Sequence, residues 1–173
     1  AELTESDFLI AQSLFDKHVF TESGWIDNWF SNMLPLDEPF VLAGISYRTS
    51  ENFYQAMKVD CLELREEIAR MPPHRSRLCF KRHPNVYKVR DSWNTSEKLR
   101  VMEFILREKF KKGTSWSKTL IDTGDDTIVE WNNWKDVFWG HDINLDHGKN
   151  HLGLILMKIR DDLTSTTIDD FMA

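Results

Sequence analysis

The stretch from Ser50 to Arg70 constrains the fold more than any other part of the chain. Phe53, Tyr54, Met57, Cys61, Leu64 and Ile68 recur there at the spacing of a helix with one buried face. Thr49 or Ser50 can cap its start, and Pro72-Pro73 forbid its continuation. The pattern predicts a single helix over 50–70 that must lay its apolar face on a core. A second helix is predicted from Asn94 or Thr95, with the stripe Leu99, Met102, Ile105, Leu106 and Phe110, and Gly113 stops it. Shorter helices are predicted over 6–15, 114–121 and 151–163. "KHVFT" (17–21), "FVLAGISYR" (40–48) and "TIVEW" (127–131) read as strands, with Gly44 bending or turning the second.

Helices outnumber strands, and their order lacks the regular alternation of a parallel α/β sheet. The expected fold class is therefore α+β: a compact single domain, mostly helical with a few short strands. The length of 173 residues favours one domain over 1–173, with 164–173 as a loosely held tail.

Charge and composition narrow the partners. The net charge of -6 argues against attraction of the whole protein to nucleic acid or to an anionic membrane. No apolar run approaches the ~20 residues needed to span a bilayer, and the acidic start "AELTESDF" has no apolar signal core. Cys61 and Cys79 show neither pairing logic nor metal spacing, which fits a reduced, cytoplasmic setting. Against this acidic background, residues 70–90 hold seven Lys or Arg and no Asp or Glu. A solvated basic face is the ordinary meaning of such a run; a phosphate clamp from Arg75, Arg77 or Arg82 is the functional one.

Two stretches carry chemistry. In "SENFYQAMK", Glu51, Gln55 and Lys58 fall along one stripe of a helix, because positions seven apart differ by only ~20° in direction. Glu51 and Lys58 would then stand ~10 Å apart along the axis, bordering the apolar face. Their long side chains could converge on one ligand. Burial would raise the Glu51 pKa, and the helix dipole would lower it.

The second stretch, Asp136 to Gly153, reads three ways. A nucleotide P-loop fails on spacing: Ile143 stands where the first Gly is needed, and Asn150 replaces Ser or Thr after Lys149. A metal site from His141, Asp142, Asp146, His147 and His151 lacks a ligand signature. The third reading is a ligand-facing loop. Asn150 caps the last helix, whose free N–H groups suit a phosphate or sugar oxygen. Trp139 offers a flat face, Gly140 lets backbone approach a ligand, and Asp136 could hold a hydroxyl or a cationic intermediate.

Taken in order, "FSN" (30–32), Gly44, Tyr47, "TSENFYQAMK" (49–58), "SW" (92–93), Met102, "KF" (109–110), "LIDTGDDTIVE" (120–130) and "DVFWG…GKNHLGLILMKIR" (136–160) resemble the NADAR family. The likeness runs from about Val19 to Arg160. Asn52 replaces the His that often follows the helix Glu, and His141-Asp142 stand where a Gly often follows "WG".

The resemblance implies a compact α+β fold of the YbiA type and cleavage of an N-glycosidic bond between a (phospho)ribose and a nitrogen base. Riboflavin-pathway intermediates, the aminouracil and diaminopyrimidinone ribonucleotides, are the implied substrates. Related members remove ADP-ribose from guanine, so ADP-ribosylated nucleic acid is a second implied partner. A module that binds ADP-ribose without cutting it is the non-enzyme alternative.

The implied catalytic set is Glu51 as acid/base, Lys58 as phosphate anchor or amine nucleophile, and Asp136 beside the cationic sugar. Asn32, Ser31, Trp93, Trp139, Gly140 and Asn150 are implied in substrate binding. Arg75, Arg77, Arg82 and Lys149 are implied at phosphate. No cofactor or metal is implied.

Overall fold

A computed structural model of the chain describes residues 31–165, together with 170, 172 and 173. The helix expected over 6–15, the strand over 17–21 and half of the expected tail lie outside these residues. The architecture is α+β: helices joined by loops, with two short two-stranded pairings. Residues 32–114 form one compact unit, and the described residues from Ser115 onward belong to a second.

The first unit opens with a hairpin of β1, Pro35–Leu42, and β2, Ile45–Thr49. The strands are antiparallel, with Leu42 opposite Ile45 and Phe40 opposite Tyr47, and an irregularity follows Pro35. Ala43 and Gly44 both take positive φ, 51° and 78°, the setting that a tight two-residue hairpin turn demands. Of the bend or turn expected at Gly44, the structure has the turn, which separates two strands.

Helix α1, Ser50–Ala56, follows β2 directly, and all seven of its residues are buried. Thr49 is its N-cap and accepts a hydrogen bond from the Asn52 amide at 3.0 Å. The Asn52 Nδ2 reaches on to the carbonyls of Ile68 and Met71, both at 2.9 Å, and ties α1 to the end of α2, Leu62–Arg70. Phe53 packs edge-on against Phe40 and Tyr47, with ring centroids 5.4 and 5.1 Å away, which fixes the hairpin to α1.

The single helix expected over 50–70 is in fact two. The chain leaves α1 at Met57, and Cys61 is extended before α2 begins. Carbonyls released by the break find partners elsewhere. Arg90 donates from its backbone to Lys58 at 2.7 Å and from Nε to Met57 at 2.7 Å, and Arg65 Nε donates to Val59 at 2.9 Å. Arg90 also binds Ser92 Oγ and Glu97. Arg90→Ala should strip three side-chain bonds from this clasp and cost about 2–4 kcal/mol of stability, read as a fall in the urea midpoint.

The basic run also folds differently from expectation. Pro72-Pro73 end α2, but Pro73 then opens α3, Pro73–Arg82, where a proline's missing N–H costs nothing. Helix α4, Thr95–Lys109, starts on an Asn94 side-chain cap that accepts from the Glu97 amide at 2.9 Å. Its Val101, Met102, Ile105 and Leu106 are buried. Ile68, Ile105, Leu106 and Phe110 are among the largest fully buried side chains of this unit.

The second unit holds α5, Ser115–Ile121, and α6, His151–Thr164. Buried Arg160 binds Thr123 Oγ1 at 2.8 Å and the Asp126 carbonyl at 2.7 Å, joining α6 to the turn after α5. "TIVEW" does not form the expected strand. Val129 makes an isolated bridge, and the last residue enters β3, Trp131–Asn132, which lies parallel to β4, His141–Asp142. Helix α6 takes in Thr164, where the tail was expected to start. Among the described residues, no helix is long and apolar enough to cross a membrane.

Candidate active site

The first unit brings Asn32, Glu51, Lys58, Trp93 and Arg77 into one neighbourhood. Glu51 occupies the first turn of α1 and is 7% exposed. Its backbone amide donates to the Asn32 carbonyl at 3.0 Å, and Ser50 Oγ donates to Asn32 Oδ1 at 2.8 Å. Asn32 Nδ2 points to Met102 Sδ of α4 at 3.5 Å. One turn along α1, Gln55 Nε2 donates to Glu51 Oε1 at 2.8 Å.

Lys58 lies just past the end of α1, not on the helix stripe expected for it. Its Nζ sits 5.2 Å from the ring centres of both Tyr54 and Phe80. Trp93 stacks edge-on against Tyr54 at 5.3 Å, and the Arg90 guanidinium stands 5.3 Å from the Trp93 indole. Buried Cys79 of α3 donates from Sγ to the Ser76 carbonyl, and burial raises its thiol pKa against the opposing charge of Lys58.

Burial pushes Glu51 and Lys58 in opposite directions. It raises the Glu51 carboxyl pKa; the Gln55 hydrogen bond and the charges of Arg77 and Lys58 oppose that only in part. It lowers the Lys58 ammonium pKa; Glu51 and Cys79 oppose this, while Lys98 and Arg77 reinforce it. Each group is therefore shifted toward its neutral form, one an acid and the other an amine. Of the three arginines expected at phosphate, Arg77 acts on both groups; Arg75 and Arg82 are exposed on the same helix.

Asp136, Trp139, Gly140, Lys149 and Asn150 belong to the second unit, as Ser31 does by chain contacts. Asp136 Oδ1 accepts the amides of Phe138 at 3.2 Å and Trp139 at 2.9 Å, so one carboxylate oxygen shapes the turn that carries Trp139. Half-buried Trp139 packs edge-on against Phe138 at 4.8 Å.

The expected free amides at the start of α6 are occupied. Lys149 N donates to Val137 O, Asn150 N to Gly140 O, His151 N to Phe138 O and Leu152 N to Trp139 O. The Asn150 side chain does not cap α6 either. Asn150 is left-handed, φ 52°, and its amide spans the Glu130 N–H at 2.9 Å and the Ile128 carbonyl at 2.9 Å. The loop spends these polar groups on its own backbone. Lys149 is exposed.

The glycines follow the same logic. A Cβ at Gly140 would stand 2.2 Å from Glu130 O, so the close approach there is to protein backbone. A Cβ at Gly148 would meet Gly140 O at 2.1 Å and His141 Cα at 2.5 Å. Gly148→Ala should therefore force this loop apart and lower stability by about 1–3 kcal/mol, measured as a drop in Tm. The histidines and acids weighed as metal ligands are also engaged. Asp142 accepts the amides of Asn144 and Leu145 through Oδ1 and of Lys135 through Oδ2. Burial works against its ionisation, but the amides of Leu145, Lys135 and Asn144, with His147, outweigh it and hold the carboxyl below its usual range. His141 Nε2 meets Asp146 at 3.1 Å, and the Phe138 and His151 rings lie 4.5 Å apart.

The NADAR domain profile matches residues 14–164. The chain belongs to the NADAR family. A riboflavin biosynthesis protein of Vibrio vulnificus is 35% identical over 122 residues, 70% of this chain; the match covers only 32% of that longer protein. The N-glycosidase YbiA of Escherichia coli is 34% identical over 127 residues, 72% of this chain and 76% of YbiA. The Shigella flexneri YbiA is 34% identical over 136 residues, covering 78% of this chain and 80% of the relative. In three dimensions, the NMR structure of E. coli YbiA matches this NADAR chain with a TM-score of 0.63 at 32% identity, over 78% of this chain and 77% of that one.

Asn52, which stands where other NADAR chains often carry His, is consumed in joining α1 to α2. Sequence reasoning passed over Tyr54, Phe80, Cys79 and Lys98 as neighbours of Lys58. Phe80 and Cys79 lie on α3, a helix that was not expected. Gln55 was visible four residues after Glu51, the spacing at which helical side chains touch.

Proposed function

We propose that this chain is an N-glycosidase that hydrolyses the bond between a ribose and a nitrogen base. The observation that carries the reading is the buried Glu51 beside Lys58, each shifted toward its neutral form. The names of the YbiA and riboflavin-biosynthesis relatives support N-ribosyl pyrimidines of the riboflavin pathway as its substrate class.

As the C1′–N bond breaks, its electron pair goes to the base, which then needs a proton. Burial favours the protonated carboxyl, and Glu51 in that form supplies one as general acid. The Lys58 amine attacks C1′, and the resulting ammonium gives its extra proton to the Glu51 carboxylate. The ring opens to a protonated Schiff base as Glu51 passes that proton to O4′; water adds at C1′ and gives its surplus proton back to Glu51, the sugar leaves as its aldehyde and the amine is restored. Arg77 supplies positive charge beside the pair for a phosphorylated sugar. Asn32, bonded to the first turn of α1, fixes the entry to the same place.

Base release from an aminouracil ribonucleotide, followed by ultraviolet absorbance and mass spectrometry, tests the reading. Free base and ribose phosphate at a rate unaffected by a chelator are the expected products. Intact substrate after prolonged incubation with stoichiometric protein would overturn it.

A further inference from the structure

Gln55 is a buried residue to which neither the family match nor the catalytic scheme gives a task. It is 4% exposed, lies one turn after Glu51 on α1, and donates from Nε2 to Glu51 Oε1 at 2.8 Å. Among the described residues, its other polar atom, Oε1, is buried with no hydrogen-bond partner. A buried acceptor left unpaired is destabilising, and an apolar side chain of similar shape would avoid that cost. An amide in this position has a property that an apolar side chain lacks. Its two ends have nearly the same shape and opposite hydrogen-bonding sense.

We infer that Gln55 holds the Glu51 carboxyl in one position through both of its protonation states. Toward the carboxylate, Nε2 donates to Glu51 Oε1, the arrangement in the structure. Toward the acid, the amide turns over and Oε1 accepts the carboxyl O–H. Either way the pair keeps one hydrogen bond, and one amide end lies unpaired behind it; the bond to the carboxylate is the stronger of the two because it is charge-assisted. The inference rests on the proposed general-acid role: when the Glu51 proton passes to the leaving nitrogen, the carboxylate that remains meets an N–H without moving. Gln55 is on this account a positioning residue. The other charges that face Glu51 are those of Lys58, after α1, and Arg77, on α3; Cys79 and Lys98 face Lys58. None of them is altered by substituting Gln55.

The test tracks the Glu51 carboxyl carbon and the Gln55 side-chain amide by NMR across a pH titration of the full chain. In the wild type the Gln55 amide signals should shift with the same midpoint as the Glu51 carboxyl. In Gln55→Met, which removes the donor to the carboxylate, the Glu51 midpoint should move up. The alkaline limb of the kcat profile for base release should move with it, and kcat should fall by roughly 10-fold or more as the carboxyl loses its fixed position. If Gln55→Met does not fold, the wild-type titration carries the test, since it needs no variant. A Gln55 amide that does not respond to the Glu51 titration would overturn the inference, as would an unmoved Glu51 midpoint in a folded variant. Because the titrations need no turnover, coupled signals in a protein that releases no base would sink the proposed function and leave the Gln55 pairing standing.

Discussion

Glu51→Gln should cut kcat for base release by about 10²–10⁴-fold, while the protein melts no lower than the wild type. The two halves of this expectation share one cause. Glu51 is buried, and burial raises its carboxyl pKa against the Gln55 bond and the charges of Arg77 and Lys58. The unfolded chain ionises near the usual Glu value of about 4.3, and the folded chain ionises at a higher pH. Between those two values the folded state binds more protons, so wild-type stability falls as pH rises through the window. A glutamine at 51 does not titrate, and its amide can donate to the unpaired Gln55 Oε1. The Tm of Glu51→Gln relative to wild type should therefore climb as pH rises through that window and then level off. Catalytic groups held against their solution preference commonly carry this trade of stability for activity. Full turnover by a folded Glu51→Gln would remove Glu51 from the acid role. A Tm well below wild type at pH 7 would show that the carboxyl is stabilising where it sits.

The helices at 95–109 and 151–164 were legible from their periodic apolar stripes, and the first also from its Asn94 cap. The hairpin was half legible: Gly44 marked the turn, but the irregularity after Pro35 and the reach of β1 back to that residue have no local signal. The break at 57–61 was hidden, since no Gly or Pro lies there. What ends α1 is competition from Arg90, far along the chain, for the carbonyls of Met57 and Lys58. Helix α3 was hidden for the opposite reason. Its Pro73 is a strong stop signal for α2 and an equally good start for a new helix. In "TIVEW", β-branched residues promised a strand, but the backbone at Ile128 and Glu130 is satisfied by the Asn150 amide instead.

The site divides along the same line. Glu51 and Lys58 could be placed near one another because positions seven apart fall on one stripe of a helix. Their relation came out differently, since Lys58 leaves the helix that was to hold it. The loop at 136–153 misled in a physical way. Polar residues and glycines that could face a ligand are the same ones a compact loop needs to satisfy its own amides. Asn150, Gly140 and Gly148 are all spent on close backbone packing.

Lys58→Met should lower base release by about 10³-fold or more, and only the unsubstituted Lys58 should be trapped on substrate by borohydride. The reason lies in the surroundings of Nζ, between the Tyr54 and Phe80 rings. Burial there lowers the ammonium pKa, with Glu51 and Cys79 opposing and Lys98 and Arg77 reinforcing. A lowered pKa raises the share of free amine at neutral pH, and a free amine can attack C1′ where an ammonium cannot. The Schiff base formed on ring opening is reducible, so peptide mapping after borohydride treatment should find one sugar-phosphate mass on Lys58. Lys58→Arg separates this role from phosphate anchoring. Arginine keeps the charge and cannot act as the amine, so a nucleophile predicts loss of kcat, and an anchor predicts near-normal kcat with a changed KM. Stability supplies an independent check with its own sign. The folded pKa lies below the unfolded value of about 10.4, so between the two the unfolded chain binds more protons and wild-type stability rises with pH. Lys58→Met lacks that titration; its advantage in Tm over wild type should be largest below the folded pKa and shrink as pH climbs toward 10.4. Unchanged kcat in Lys58→Arg, or turnover in borohydride without an adduct at Lys58, would assign the amine to binding rather than attack.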